Sequence, residues 1–199
     1  MQELELLDWK RRVFALYAGV RAAGDPEAAW HAWRNGRDTL FRGHPQSPLS
    51  PAGRDGFGGL RYFEYTPAFR VLGELERGDD ELRDVTTSGG ETVRFRRFGV
   101  VCFELAREPQ ELSLYWLEGY GGGVFLPFAD ATRGSETYGG GRYLLDTVKG
   151  ADLGEAEGQL VLDFNFAYNP SCAYDPRWVC PLSPPENRLD VAVHAGEQI

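Results

Sequence analysis

Long apolar runs are missing from this sequence. No stretch approaches the roughly 18 residues needed to cross a bilayer, so no membrane partner is expected. A positive balance is missing as well: the formal net charge is -9, which repels a polyphosphate backbone and leaves nucleic-acid binding to a local basic patch. The densest patch, Arg94-Phe95-Arg96-Arg97, lies in an alternating segment and reads as the solvated face of a strand. The amino terminus, MQELELLDWKRR, is acidic before it is basic and carries no apolar core, so it does not read as a signal peptide. A soluble, cytoplasmic protein is the expectation. Familiar catalytic signatures are absent too: no serine stands in a G-x-S-x-G elbow, no H-E-x-x-H occurs, and Gly139-Gly140-Gly141 lacks the lysine and hydroxyl residue of a phosphate-binding loop. Strands and helices do not alternate, which argues against a parallel nucleotide-binding sheet.

Cysteine is scarce, with three residues in 199. Cys102 sits in a strand-like run, where a thiol behaves as a small apolar group. Cys172 and Cys180 are near enough in sequence to meet around a turn, as a disulfide or as two thiols, and a cytosolic setting favours thiols.

What is present describes a single β-rich body. The length suits one domain with at most a small appendage. The 42% of apolar residues suffice for a core, and the 25 glycines and 12 prolines punctuate short apolar runs. Leu6, Trp9, Val13, Leu16, Tyr17 and Val20 fall on one stripe of a helix over 4–22. Asp25-Pro26-Glu27 then caps and starts a second helix to about Arg42. Its stripe of Trp30, Trp33, Leu40 and Phe41 is interrupted by Arg37, which either lays its stem on a tryptophan or anchors a carboxylate where the helices meet the body. His31 and His44 read as solvent-facing. Short strands are expected near 60–65, 69–75, 82–87, 91–97, 98–105, 111–117, 123–128, 141–148, 159–168 and 188–194, spaced as in an antiparallel barrel or curled sandwich of about nine strands. The expected division is a helical appendage over 1–42 packed on a β domain over 43–199.

The stretch from Leu160 to Cys180 carries the most information. Leu160, Leu162, Phe164 and Phe166 alternate with Asp163, Asn165 and, past Ala167, Asn169, before Asn169-Pro170 breaks into a turn with the two cysteines. In the closing segment Leu189, Val191 and Val193 share one side, and Asp190, Ala192 and His194 the other.

Three blocks, LPFADATRGSETYGGGRYL from Leu126, DFNFAYNPSCAY from Asp163 and CPLSPPENRL from Cys180, with the closing Ala195-Gly196-Glu197, resemble domain-of-unknown-function family 1684 over roughly residues 57–199. The resemblance supplies positions without chemistry. The polar positions it marks are Asp130, Thr132, Glu136, Thr137, Tyr138, Arg142, Asp163, Asn165, Asn169, Cys172, Cys180, Glu186 and Asn187.

From these residues the expected function is binding of a small polar or anionic molecule in a β-barrel pocket, with acid-base catalysis as an extension. Arg142 would clamp an anion bidentately and Asp163 would act as general base, while Tyr138, Asp130, Asn165, Asn169, Glu186 and Asn187 would orient the ligand. The same groups also suit internal struts, with an Arg142–Asp163 pair as one of them. Two rival readings stand beside this: an interaction module presenting Trp30 and Trp33, and a metal site at Cys172 and Cys180 with His194. No cofactor is expected, Cys172 and Cys180 read as structural, and a homodimer is a further option.

Overall fold

Asp25 fixes where the second helix starts: its carboxylate accepts from Glu27 N at 3.0 Å and Ala28 N at 3.2 Å. The structure, a computed structural model, describes residues 2–119 and 121–199. It opens with α1 (Gln2–Ala22) and α2 (Pro26–Gly43), and a single turn α3 (Pro51–Arg54) follows. The α1 stripe docks as its spacing predicts, with Tyr17 buried and Trp9, Val13, Leu16 and Val20 against the core, although Leu6 is exposed. His31 is exposed, but His44 is not. It lies buried between Asp8 (3.2 Å) and the backbone N–H of Gln46 (3.0 Å), because the connector after α2 folds back onto α1.

Seven antiparallel strands follow: β1 (Arg70–Thr86), β2 (Thr92–Leu105), β3 (Glu108–Leu117), β4 (Val124–Phe128), β5 (Arg142–Asp146), β6 (Glu155–Ala156) and β7 (Gln159–Asp163), in the order β5-β4-β3-β2-β1-β7-β6. The sheet is open, where a closed barrel or sandwich of about nine strands was expected. Its edges, β5 and β6, have five and two residues, and among the described residues no ladder joins them. The strand count falls because two pairs merge. Gly78-Asp79-Asp80 looks like a turn, yet the register shift between Arg77 and Glu81 takes up these residues without leaving the ladder. A second shift between Arg97 and Gly99 joins 91–97 to 98–105. Residues 60–65 and 188–194 are not ladder strands. Tyr62 makes one bridge to Glu197, and the tail keeps the expected sides, with Leu189 and Val193 buried and Asp190, Ala192 and His194 exposed.

Outside the exposed outer arm of β1 and β2 the sheet buries both faces, and its alternation sorts side chains between them. Leu112, Leu114, Leu126 and Leu144 join Trp30, Trp33, Tyr17 and Phe41 of the helices in the larger core. Phe95, Tyr115, Phe125 and Tyr143 form a smaller cluster on the other face. The helical segment over 1–42 thus shares its core with the sheet. Trp30 and Trp33, which an interaction module needs at the surface, are buried there. The basic run behaves as a strand face: Phe95 points inward, while Arg94 pairs with Asp84 and Arg96 with Asp80 and Glu118.

Glycine is required where the tail meets the body. At Gly196, with φ of 79°, a Cβ would come within 2.7 Å of the carbonyl oxygens of Phe164 and Ala167. At Gly141, with φ of 89°, it would meet Phe128 O at 2.7 Å.

Candidate functional site

β7 ends at Asp163, and the chain turns through a 3-10 turn over 164–166 that buries Phe164, Asn165 and Phe166 alike. The two-faced strand expected over 159–168 is thus cut short, since Asp163 caps the turn by accepting from Asn165 N at 3.1 Å. No wet polar face exists here. Asn165 instead takes the part of a peptide group: its side chain accepts from Thr66 N and donates to Thr66 O, both at 3.0 Å. Asn187 does the same to Ser113 N and O, both at 2.9 Å, and adds Pro127 O at 2.7 Å. Buried amides used this way hold backbone that has no ladder partner.

Arg142 is also committed internally. Its guanidinium donates to Asp130 Oδ2 at 2.8 Å and to the carbonyls of Val193, Ala195 and Glu197. It is fully buried, and burial lowers its pKa while Asp130 opposes. Arg142 and Asp163 share no hydrogen bond or ion pair among the described residues, and the cavity that Asp163 lines does not include Arg142. Glu186 is exposed and accepts from Tyr115 Oη at 2.8 Å. Tyr138 Oη lies 3.5 Å from Cys172 Sγ, and Cys172 and Cys180 are free thiols. His194 stands apart from them, against Glu136 at 3.3 Å.

Of the anticipated ligand-binding residues, Asn169 alone lines a small cavity of about 70 Å³ between α1, α2 and the segment 168–174. The edge strand β5 contributes Tyr143, bridged in register to Tyr168. Arg37, Lys149, Tyr17 and Tyr174 complete the polar lining. Arg37 fulfils the carboxylate-anchor reading. It donates to Glu197 Oε2 and Tyr62 Oη, each at 2.9 Å, and its guanidinium stacks 5.0 Å from the Trp33 ring and 5.1 Å from Tyr168. Glu197, itself buried, also accepts from Tyr174 Oη and from Asn169 N. Lys149 pairs with Asp146 at 3.1 Å.

Two buried polar atoms on this lining have no partner within the protein: Tyr17 Oη and Asn169 Oδ1. The Asn169 amide is oriented by its Nδ2, which donates to Gln198 O at 2.9 Å, so the bare atom is the acceptor. Trp33 Nε1 faces Tyr17 Oη too loosely for a hydrogen bond and, being a donor, could not take up the phenol's proton. Burial raises the Tyr17 pKa well above the ordinary range, so the proton is present. The cavity thus offers one donor and one acceptor between aromatic walls and a guanidinium. Tyr17, Tyr168 and Lys149 gave no polar-site signal in the sequence. Arg37 did, as a cation in an apolar stripe, and Glu197 stands in the closing block of the resemblance.

Asp163 lies in a second cavity, of about 120 Å³, with Arg70 at 3.8 Å and Arg21 on the lining. Its Oδ2 has no hydrogen bond, and burial raises its pKa from 3.8 to about 6 against the opposing bonds from Asn165 and the charge of Arg70. The folded state therefore holds this proton more tightly than the unfolded chain. The contribution to stability is intact below about pH 4 and is lost as the pH rises to about 6, by up to about 3 kcal/mol. Asp163→Asn keeps the bonds to Asn165 and removes the charge. Urea unfolding should show the variant gaining on the wild type by about that amount between about pH 4 and pH 7, whereas parallel pH curves would contradict the assignment.

A wider concavity, about 490 Å³ between α1 and the end of α2, is an open groove whose Asp8 is already paired with Arg12 at 2.8 Å and His44 at 3.2 Å. Among the described residues, no helix is long and apolar enough to cross a membrane, and no group of three or more His, Cys, Asp or Glu is placed to hold a metal ion.

A family model described as "Protein of unknown function (DUF1684)" matches residues 55–198. The solution NMR structure of an uncharacterized protein of Haloarcula marismortui is similar over 87% of this chain and 94% of that one, with 37% identity and a TM-score of 0.62. No curated protein matches.

Proposed function

The chain belongs to the DUF1684 family, and we propose that it binds a small polar or anionic molecule, in the cytoplasm, with the head group of that molecule held between α1, α2 and the segment 168–174. The observation that carries this reading is the pair of unpartnered buried atoms, Tyr17 Oη and Asn169 Oδ1, on one lining with Arg37 and Lys149. A buried donor and acceptor left bare each cost about 1–3 kcal/mol, and a ligand that supplies an acceptor and a donor recovers that energy. The volume suits a carboxylate- or phosphate-sized group rather than a drug-sized molecule. Arg37 and Lys149 are balanced by Glu197 and Asp146, so the lining is polar without a large net charge. It therefore selects hydrogen-bonding pattern ahead of charge.

A thermal-shift screen of small carboxylates, phosphate esters and neutral polar metabolites, read on the wild type and on Tyr17→Phe, tests this. A bound compound should raise the melting temperature of the wild type and lose about tenfold in affinity on Tyr17→Phe. The same variant without ligand should be as stable as the wild type or more so, since a bare hydroxyl is gone. A hit that ignores Tyr17→Phe, or a free variant that is clearly destabilised, contradicts the reading.

A second reading, acid-base catalysis, is favoured by Asp163, a carboxyl with a pKa of about 6 and an unbonded oxygen in its own cavity beside Arg70. A carboxyl tuned so takes up or gives a proton near neutral pH. A bell-shaped or sigmoid rate profile with a limb near pH 6, lost in Asp163→Asn, is the expected mark of turnover there.

A further inference from the structure

Cys172 sits in a 3-10 turn over 171–173, half-buried, and Cys180 is buried eight residues on. The two thiols are near enough for each to shift the other's ionisation. Both ends of the loop are fastened. The Cys180 arm is tied to the β1–β2 turn by Ser88 N to Cys180 O at 2.9 Å, Cys180 N to Ser88 Oγ at 3.1 Å and Leu182 N to Thr86 O at 2.8 Å. The Cys172 side is held through Asn169 and Tyr174 to Glu197. The surroundings of Cys172 are those of an activated thiol, not an inert one. Tyr138 Oη is 3.5 Å from its sulfur, and Lys149 is close enough to act on the pair electrostatically.

We propose that Cys172 and Cys180 form a reversible dithiol site that reacts with hydroperoxides, Cys172 as the attacking thiolate and Cys180 as the resolving thiol. The influence of Cys180, with that of Tyr138 and Ser88, outweighs the effect of burial, lowering Cys172 to about 6 and pushing Cys180 up. At neutral pH the reduced pair is one thiolate and one thiol, the combination that disulfide formation through a sulfenic acid needs. In the first step Cys172 Sγ attacks the distal oxygen of the hydroperoxide. The S–O bond forms, the O–O bond breaks, sulfur loses two electrons, and the alkoxide leaves with a proton from water. In the second, Cys180 Sγ attacks the sulfenic sulfur. The S–S bond forms, and the hydroxide leaves with the Cys180 proton as water. A dithiol reductant returns two electrons and two protons. This site is separate from the ligand reading above and stands without it.

Cys102 serves as the internal control. It lies on the sheet with a pKa raised by burial and by Glu76, so it is a slow thiol. Reduced wild-type protein given equimolar hydrogen peroxide should lose two of its three titratable thiols, with peptide mapping locating a Cys172–Cys180 bond and Cys102 still free. Alkylation of Cys172 by iodoacetamide should outpace that of Cys102 by at least about tenfold at neutral pH and reach half its plateau near pH 6. Cys180→Ser should stop at a sulfenic acid trapped by dimedone, and dithiothreitol should restore both thiols of the wild type. Oxidation of all three cysteines at one rate, absence of the Cys172–Cys180 bond, or alkylation of Cys172 no faster in folded than in urea-unfolded protein overturns the proposal. These readings on the wild type do not depend on any variant folding.

Discussion

Arg142→Met is expected to destabilise the protein by about 3–5 kcal/mol, the cost of breaking a buried ion pair by removing one partner. The size follows from what the guanidinium satisfies. It reaches Asp130 Oδ2 at 2.8 Å, the carbonyls of Val193 and Glu197 at 3.1 and 3.3 Å, and that of Ala195. Methionine replaces the bulk and none of the bonds, leaving a buried carboxylate without its cation. Asp130 does not escape by moving, because its Oδ1 is fixed by Thr132 N, Thr132 Oγ1 and Val193 N. Lysine should not rescue, since one ammonium cannot span four acceptors that a planar fork meets together. Against a total stability of about 5–15 kcal/mol, the loss should appear in urea unfolding as a large fall in midpoint. Asp130→Asn added to Arg142→Met should cost less than the sum of the two single changes, because the stranded charge is then absent. A loss below about 1 kcal/mol for Arg142→Met would show that the pair contributes little. An Arg142 variant therefore reports on folding, and is the wrong probe for ligand binding.

Arg142 also shows how much the sequence discloses. Its neighbours Gly141 and Tyr143 and the run of matched polar residues mark the segment as special, but a position in sequence does not say whether a cation faces a cavity or the carbonyls of the closing segment. Those carbonyls belong to Val193, Ala195 and Glu197, fifty and more residues away, and they come together through Gly196, whose positive φ turns the tail under β5. Local patterns were legible where local physics decides: the Asp25 cap, the stripes of α1 and α2, the sides of the closing segment. Strand number was not, because register shifts at Arg77–Glu81 and Arg97–Gly99 hide turn-like residues inside continuous ladders. Asn165 and Asn187 read as ligand-binding residues for a related cause. A buried amide that stands in for a peptide group and one that faces a ligand look alike until the backbone beside them is seen. The cavity itself could be anticipated in part, from Arg37 and Asn169; Tyr17 and Tyr168 counted only as apolar bulk until folding set their hydroxyl-bearing rings around it.

Glu197→Gln should lower stability and raise affinity for anions at once, a combination that neither a pure strut nor a pure ligand residue gives. In the wild type Glu197 neutralises Arg37 at 2.9 Å and is itself held by Tyr174 Oη and Asn169 N. Burial raises its pKa, and Arg37 is the largest influence opposing that rise. Glutamine keeps the shape and one acceptor oxygen but leaves Arg37 a largely buried cation without a counter-charge, at a cost of about 2–4 kcal/mol. Arg37→Met combined with Glu197→Gln should recover part of that loss, as a double-mutant cycle in urea would measure. The unbalanced Arg37 lines the cavity, so a small carboxylate or phosphate entering it takes the place of the lost counter-charge. Titration by NMR or calorimetry should then find such anions bound at least about tenfold more tightly than by the wild type, an effect that weakens as salt is added. If Glu197→Gln is destabilised and anions still bind no better, Arg37 is sealed from the cavity by its own aromatic neighbours, and recognition there falls to Tyr17 and Asn169 alone.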